Sequence, residues 1–350
     1  MEPNNLLGGL DLDNPMSGLD ARSDVEFKEG HCIVAEIRRD SSSKCSKYVS
    51  ESISPVEVDN WIEASGKFAD GLEGSRRVRL IFPCTTSTAL DENGNSPQLS
   101  EALELALNRE RFTRLTHRYQ FTSALEAWRY RSLSGYSVRK VEYDSSGAAK
   151  SITFTLSIRL SGSFASAFAI NHNYTTCTTV VLALRVCPYE QTLLQQTLER
   201  HANLIGHPLL VPTTLGEVCL ETHKQFTQKI LHELSIIEKT TGQHGWLQIP
   251  AVDASAHDSE LSRLGHAVKH YISVSRRRVD SIQCHLDWIM QCINDPKLHD
   301  FQTQAQFEEW IGNIELMLKF RQADVTYSER RADNQITAVR HPIIHECAQE

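Results

Sequence analysis

The chain has 350 residues, 40% of them hydrophobic, with 36 Lys and Arg against 44 Asp and Glu, for a formal net charge of −8 at pH 7. That length admits one large or two modest domains with a real core, and the acidic balance argues against a nucleic-acid or anionic-membrane binder. Nine cysteines (Cys32, Cys45, Cys84, Cys177, Cys187, Cys219, Cys284, Cys292, Cys347) are scattered, odd in number and never spaced C-x-x-C, which argues against a secreted disulfide scaffold and for a reducing, cytoplasmic setting.

Residues 1–30 carry seven acidic side chains against two basic ones amid Asn, Gly and Pro. With too few apolar groups to offset ordering entropy, this stretch is read as a disordered acidic tail. It has neither the basic start nor the apolar stretch of a secretory signal. Next comes an α/β region, residues 31–250. Arg77-Val78-Arg79-Leu80-Ile81-Phe82 alternates up to Pro83 and predicts a strand. Leu90–Ser100 reads as a loop, and Glu101–Trp128 has helical spacing through Leu103, Leu107, Phe112, Leu115 and Leu125, as two helices. Tyr136–Tyr143, the turn Asp144-Ser145-Ser146-Gly147 and Ser151–Leu160 predict a hairpin with one buried and one wet wall. Thr178–Val186, apolar and β-branched, reads as a central strand; Gln191–Ile205 reads as a helix. After His207-Pro208-Leu209-Leu210-Val211-Pro212, a further helix is predicted from Thr213 to Lys239, stopped near Gly242.

Two long helical patterns close the chain, residues 251–350. Leu261, Leu264, Val268, Tyr271, Ser275, Val279, Ile282, Leu286, Ile289 and Ile293 step by three and four, predicting a helix over Asp258–Ile293 whose apolar stripe only Ser275 breaks. Asp295-Pro296 stops it. Phe307, Trp310, Ile314, Met317, Arg321, Val325, Ser328, Ala332, Ile336 and Val339 then predict Phe301–Arg340. The short connector favours an antiparallel hairpin or coiled coil, roughly 50–60 Å long at 1.5 Å per residue; an ordinary helical bundle is the plain alternative. The longest apolar run of consequence, Val180–Leu184, is far short of the ~20 residues a membrane span needs, so the chain is expected to be soluble.

Chemistry-bearing motifs are sparse. His266 and His270 lie four apart on one helix, but without the Glu of H-E-x-x-H or a third ligand in sequence. His232-Glu233 has no second histidine in place. His341, His345 and Cys347 cluster near residue 350, where an exposed tail is the simpler reading. No G-x-S-x-G elbow, phosphate loop or G-x-G-x-x-G occurs. Asn173-Tyr174-Thr175 is a formal glycosylation sequon that a cytosolic chain would leave unused. The basic pairs and triples Arg38-Arg39, Arg76-Arg77, Arg276-Arg277-Arg278 and Arg330-Arg331 lie among acidic residues and read as solvated faces. No catalytic constellation emerges, so the expectation is no enzyme, no catalytic or cofactor-binding residues, and metal ligands unknown.

Three stretches carry a family resemblance. Thr175-Thr176-Cys177 ahead of the buried Val180–Leu184, within Asn171–Arg185, is the first. The phrase His207–Pro212 with its following helix is the second. Leu318-Lys319-Phe320-Arg321 through Arg331, Gln335, Ala338, Val339 and Ile343 is the third. Over roughly Arg76–Ile344 they resemble the cytosolic part of the CorA-like divalent-cation (Mg²⁺) transporters, in a divergent eukaryotic branch. The resemblance implies a mixed sheet flanked by helices, an α+β or α/β arrangement, followed by a long antiparallel helical hairpin or stalk. It also implies self-association through that arm, pentameric in the family, and Mg²⁺ as a regulatory ion sensed by acidic side chains; Asp253, Asp258 and Glu260 are available carboxylates.

In the family the stalk helix runs into a pore-lining span followed by Gly-Met-Asn, but Met1, Met16, Met290 and Met317 form no such tripeptide and Pro342 is expected to interrupt the stalk. The expected function is therefore a soluble cytosolic regulatory or assembly domain that cannot transport alone, with a membrane-embedded relative as a candidate partner. The alternative is a stand-alone helical interaction protein without enzymatic activity. An enzyme built from scattered residues is the third.

Overall fold

The computed structural model describes residues 25–39, 46–69, 76–83, 103–121, 124, 136–160, 165–241, 243–244, 247–248, 258–295 and 301–346. They divide between two compact units, one formed by Met1–Ile158 with Phe164–Thr214 and the other by Arg159–Ser163 with Leu215–Glu350.

The first unit is built on a seven-stranded mixed sheet. Its strands are β2 (Cys32–Arg39), β3 (Ser46–Ile53), β4 (Arg76–Phe82), β6 (Tyr136–Tyr143), β7 (Ala149–Ile158), β8 (Ser166–Asn173) and β9 (Thr178–Leu184), in the order β3-β2-β4-β9-β8-β7-β6. Only β4 and β9 run parallel, and every other pairing is antiparallel. A separate parallel pair joins β1 (Val25–Phe27) to β5 (Leu103–Leu105). Among the described residues three α-helices join the sheet: α1 (Pro55–Ile62), α2 (Arg109–Arg118) and α3 (Pro188–Arg200).

Local chemistry starts these helices. α1 and α3 each place Pro at the first helical position, where no N–H is needed. In each, the glutamate three residues past the cap accepts the cap residue's own N–H: Ser54 donates to Glu57 at 2.9 Å and Cys187 to Glu190 at 2.9 Å. Asn108 caps α2, its Oδ1 accepting from the Arg111 N–H at 2.9 Å.

Alternation along the strands then separates two cores. Val34, Ile81, Leu182 and Ala169 share one sheet face and pack with Val58, Trp61 and Ile62 of α1 and Phe112 and Leu115 of α2. Ile37, Leu80, Val181, Ile170 and Phe154 occupy the other face and are fully buried or nearly so.

Several expectations are corrected here. Val25–Phe27, expected to be disordered, is a strand whose Phe27 ring meets Phe112 edge-on at 5.6 Å; residues 1–24 lie outside the described set. Leu103–Leu105, expected to be helical, is a strand because its backbone has a partner in β1, and tertiary pairing overrides local spacing. The expected loop Leu90–Ser100 lies outside the described residues. The hairpin β6–β7 and its turn are as expected, with Asp144 Oδ1 accepting from the Ser146 and Ala148 N–H groups. Its second wall is not wet, however. Both faces of β7 are covered, since Thr153, Thr155 and Ser157 are buried along with Phe154 and Leu156, and Thr153 Oγ1 is satisfied across the sheet by Asn171 Nδ2 at 2.9 Å.

The second unit is dominated by α4 (Leu210–Thr241), α5 (Asp258–Ile293) and α6 (Phe301–Glu346), with a two-residue hairpin, β10 (Gln243–His244) and β11 (Leu247–Gln248), between the first two. α5 has the expected bounds. α4 begins three residues earlier than expected, because Pro212 falls in its first turn, where the missing N–H costs nothing.

α5 and α6 are antiparallel. Lys269 Nζ lies 2.7 Å from Asp333 and Arg276 Nη2 2.5 Å from Glu329, so numbers rise on one helix as they fall on the other. α4 runs parallel to α6, its Glu217 meeting Trp310 and its Glu238 meeting Arg331. It runs antiparallel to α5, with His223 on Ser275 and Gly216 under Leu286. The expected two-helix arm is thus a three-helix bundle, and α4, expected to close the α/β region, contributes most of its length to the helical unit.

Two further corrections concern α6. Leu318, fully buried, replaces the expected Met317, which is 43% exposed. The helix also continues through Pro342 to Glu346. A proline removes one N–H from the ladder and crowds the preceding turn, a penalty of about 3 kcal/mol, which does not stop the helix here.

Candidate functional site

The residues that break the bundle's apolar stripes define its polar interior. Ser275, the interruption on α5, is fully buried and shares a 2.8 Å hydrogen bond with His223 Nε2 of α4. Burial pushes the His223 imidazole down to about 4, with the positive charges of Arg278 and Arg321 adding to the effect. The Arg278 guanidinium stacks 4.4 Å over the Phe226 ring. Arg321, the interruption on α6, donates to Asp324 at 3.0 Å. Toward the end of α4, Glu238 receives Arg331 in a two-pronged pair at 2.8 and 2.6 Å, which raises the Arg331 pKa further. Trp310 Nε1 donates to Glu217 at 2.7 Å.

A histidine on a serine hydroxyl is also the geometry of an activated nucleophile. Here His223 is 1% exposed and Ser275 is fully buried among helices, so a substrate has no route to the hydroxyl. The contact orders helices. Sequence reasoning placed Ser275 and Arg321 but missed His223, because the stripe of α4 carries no sign of which polar residue will face α5.

The outer surfaces of α5 and α6 differ sharply. α5 presents charge: Arg263, Lys269, Arg276, Arg277, Asp280 and Asp287 are all exposed. α6 instead exposes Leu316 (53%), Met317 (43%), Phe320 (62%) and Tyr327 (50%). Gly312, Asn313, Ala323 and Thr326 are exposed on the same helix at steps of three and four, and a Cβ at Gly312 would meet nothing within 4 Å. Glu309, Lys319 and Arg330 supply the charge on this face. The helix therefore has two apolar sides, one spent on the bundle and one facing out.

The sequence-nominated metal ligands do not gather. His266 and His270 are both exposed on α5, and among the described residues no three His, Cys, Asp or Glu side chains could share a metal ion. The side chains of Asp253, Asp258, Glu260, His341, His345 and Cys347 lie outside the described residues. Among the described residues, no helix is long and apolar enough to cross a membrane.

No family model matches the sequence, and no curated protein matches it. Among solved structures, the cytoplasmic domain of ZntB from Vibrio parahaemolyticus is similar at 8% identity, covering 92% of this chain and 100% of that one, with a TM-score of 0.39. A likeness at this level fixes neither family nor function, so both rest on the residues of this chain.

Proposed function

We propose that the chain is a non-enzymatic assembly domain that associates with a second copy of itself through the outer face of α6. The role agrees with what the resemblance to CorA-like cytosolic domains implies for a long last helix. The observation that carries it is the exposed low-charge face formed by Leu316, Phe320, Ala323 and Tyr327, on a helix whose opposite face is already buried. An interaction protein for a different partner is the competing reading, and self-complementarity favours the second copy. Two such faces related by a two-fold axis between positions 319 and 320 set Glu309 opposite Arg330, Gly312 opposite Tyr327 and Leu316 opposite Ala323. At these positions charge meets opposite charge and large meets small, and at the axis Phe320 lies against the aliphatic stem of Lys319 from the second copy, as an isologous contact allows. This is an antiparallel pair, unlike the parallel ring of the family. Because the described residues gather no cation site, no step of this proposal runs through bound Mg²⁺.

Sedimentation across a concentration series tests it. The wild-type chain is expected to dimerise, and Phe320→Ala to weaken the dimer by about 30-fold or more, as loss of a central aromatic anchor does, with an unchanged helical circular-dichroism signal. Glu309→Arg and Arg330→Glu should each weaken association, and the double exchange should restore it. Restoration separates the antiparallel pair from a parallel ring, in which position 309 faces its own copy. A chain that stays monomeric at every concentration overturns the proposal.

A further inference from the structure

One row of the seven-stranded sheet is polar from its β6 edge to its centre. In the strand register Glu142 of β6 stands opposite Ser151 of β7, Ser151 opposite Asn173 of β8, Asn173 opposite Thr178 of β9, and Thr178 opposite Arg77 of β4. Residues opposite one another in register share a sheet face, and all five of these line an open cavity of about 370 Å³ within the first unit. That volume is in the range of small-molecule sites. The ends of two helices add to the wall, Ala64 just after α1 and Gln120 just after α2. We propose that this cavity binds a small neutral polyhydroxylated molecule, a sugar or a cyclic polyol.

The guanidinium groups of the wall are already engaged. Arg79 donates to the Tyr119 hydroxyl at 3.2 Å and to the Trp61 carbonyl at 2.6 Å, and Tyr119 donates in turn to the Ile62 carbonyl at 2.8 Å. Its positive charge therefore meets the C-terminal end of α1, where the helix dipole favours it. Arg118 donates to Glu63 at 2.8 Å, while Arg77 donates to Thr178 at 3.3 Å and lies 3.6 Å from Glu36. Beyond these the cavity offers mainly neutral groups, the hydroxyls of Ser151, Thr176 and Thr178 and the amides of Asn171 and Asn173. Each of them can both give and take a hydrogen bond. A sugar hydroxyl has the same double capacity, whereas an anion only accepts and would leave the acceptors unmatched.

Gln120 shows which capacity the fold leaves unused. Its Oε1 is buried with no donor among the described residues, and an unsatisfied buried acceptor is costly. Its φ is 58°, the left-handed conformation that commonly ends a helix and that glycine adopts without strain. A glutamine in that position strains the backbone and gains the fold no hydrogen bond through Oε1. Ala64, with φ of 51°, is strained in the same way at the end of α1, and Cys177, with φ of 48°, lies between the lining residues Thr176 and Thr178. Three of the four non-glycine residues with positive φ among the described residues thus border one cavity. Strain concentrated in this way holds a wall in place for a ligand. A ligand hydroxyl donating to Gln120 Oε1 completes that wall, and Glu142, which accepts from Ser151 Oγ at 3.2 Å, offers a second acceptor on the opposite strand edge.

Saturation-transfer NMR on the full chain tests the site with glucose, ribose and myo-inositol. At least one of these probes should receive transfer that saturates with concentration. Its affinity should change less than about twofold between low salt and about 0.5 M sodium chloride, because contacts between neutral groups are not screened. Gln120→Gly removes the acceptor at a position whose backbone suits glycine, so the variant should melt close to the wild type yet bind about fivefold or more weakly. Ser151→Ala, which removes one hydroxyl from the floor and leaves the helix ends alone, should also weaken binding and stands in if Gln120→Gly fails to fold. Lys150→Met, an exposed change at the rim, should leave the affinity as it was. No saturable transfer to any probe overturns the proposal, as does binding that the folded Gln120→Gly or Ser151→Ala variant leaves unchanged. Glucose 6-phosphate binding about tenfold tighter than glucose, with that advantage lost in salt or in Lys150→Met, would mark an anion site and overturn it too. The cavity belongs to the first unit and the α6 face to the second, so failure here leaves the assembly proposal standing.

Discussion

The two units handle buried charge in opposite ways. In the helical bundle, Glu238 is 4% exposed and is matched to Arg331 by two short hydrogen bonds. In the sheet unit, Arg77 and Arg79 are as deeply buried and use neutral acceptors as well: Arg77 Nε donates to Thr178 Oγ1 at 3.3 Å, and Arg79 to the Trp61 carbonyl at 2.6 Å and the Tyr119 hydroxyl at 3.2 Å. Matched charge of the first kind aligns helices, because a one-residue slip would strand both partners away from water. Neutral acceptors of the second kind hold a guanidinium in place without burying a second charge.

The largest test of this contrast is to unpair the matched charge. Glu238→Ala leaves Arg331 without its partner and should cost about 3–5 kcal/mol of stability, measured by urea unfolding. Replacing both residues with Leu and Met should recover most of it. A loss below about 1 kcal/mol for the single change would mean the pair is a surface contact and the contrast is false.

The next test uses acid. Each unit buries a histidine whose pKa is pushed well down. Burial pushes His223 down to about 4, with Arg278 and Arg321 contributing, and pushes His172 down to about 3, with His207 contributing. His172 is held by Thr179 at 2.9 Å as His223 is by Ser275. In both cases the unfolded chain takes up a proton near 6.5 while the folded one does not, so stability is lost as pH falls below that value. For His223 the loss levels off near pH 4 after about 3 kcal/mol; for His172 it continues about one unit lower. Hydrogen exchange corrected for intrinsic rates should show protection falling in both units between pH 7 and 5. His223→Gln should blunt that fall in α4–α6 and leave β7–β9 as they were. Equal blunting in both units would show that the histidines are not separate sensors.

The smallest effect is expected at the bundle surface. Lys269 and Asp333 pair at 2.7 Å with side chains 47% and 55% exposed. Asp333→Asn should change stability by less than about 0.5 kcal/mol. A larger effect would place this pair with Glu238 and Arg331, among the contacts that set register.

Much of the fold was legible. The 3.6-residue stripe placed α5 at Asp258–Ile293 and α6 from Phe301, because one buried helix face imposes a period no strand shares. Alternation placed β4, β6 and β7, and the turn at Asp144–Gly147 followed from its residues. Readable signals were also passed over. Ser54-Pro55 with Glu57 marks the start of α1, and Pro188 with Glu190 starts α3 three residues before the expected Gln191. The candidate sites were far less legible. The Arg76-Arg77 pair reads as solvated because alternation separates two faces of a strand without saying that both will be covered. Met317 and Leu318 are neighbours of similar hydrophobicity, and only the position of α4 and α5 around α6 buries one and exposes the other.

Sequence alone therefore determined the periodic elements, their order, and a closing pair of long helices, since backbone hydrogen bonding and one-sided burial leave a local imprint at every few residues. Tertiary structure decided that α4 joins that pair as a third helix, that the polar breaks Ser275 and Arg321 fall where α4 packs, and that Arg77 of a basic dipeptide is buried while Arg76 stays exposed. Those outcomes depend on contacts between residues about 50 to 100 positions apart, and the chemistry of a contact is set by both partners, of which a local pattern contains only one.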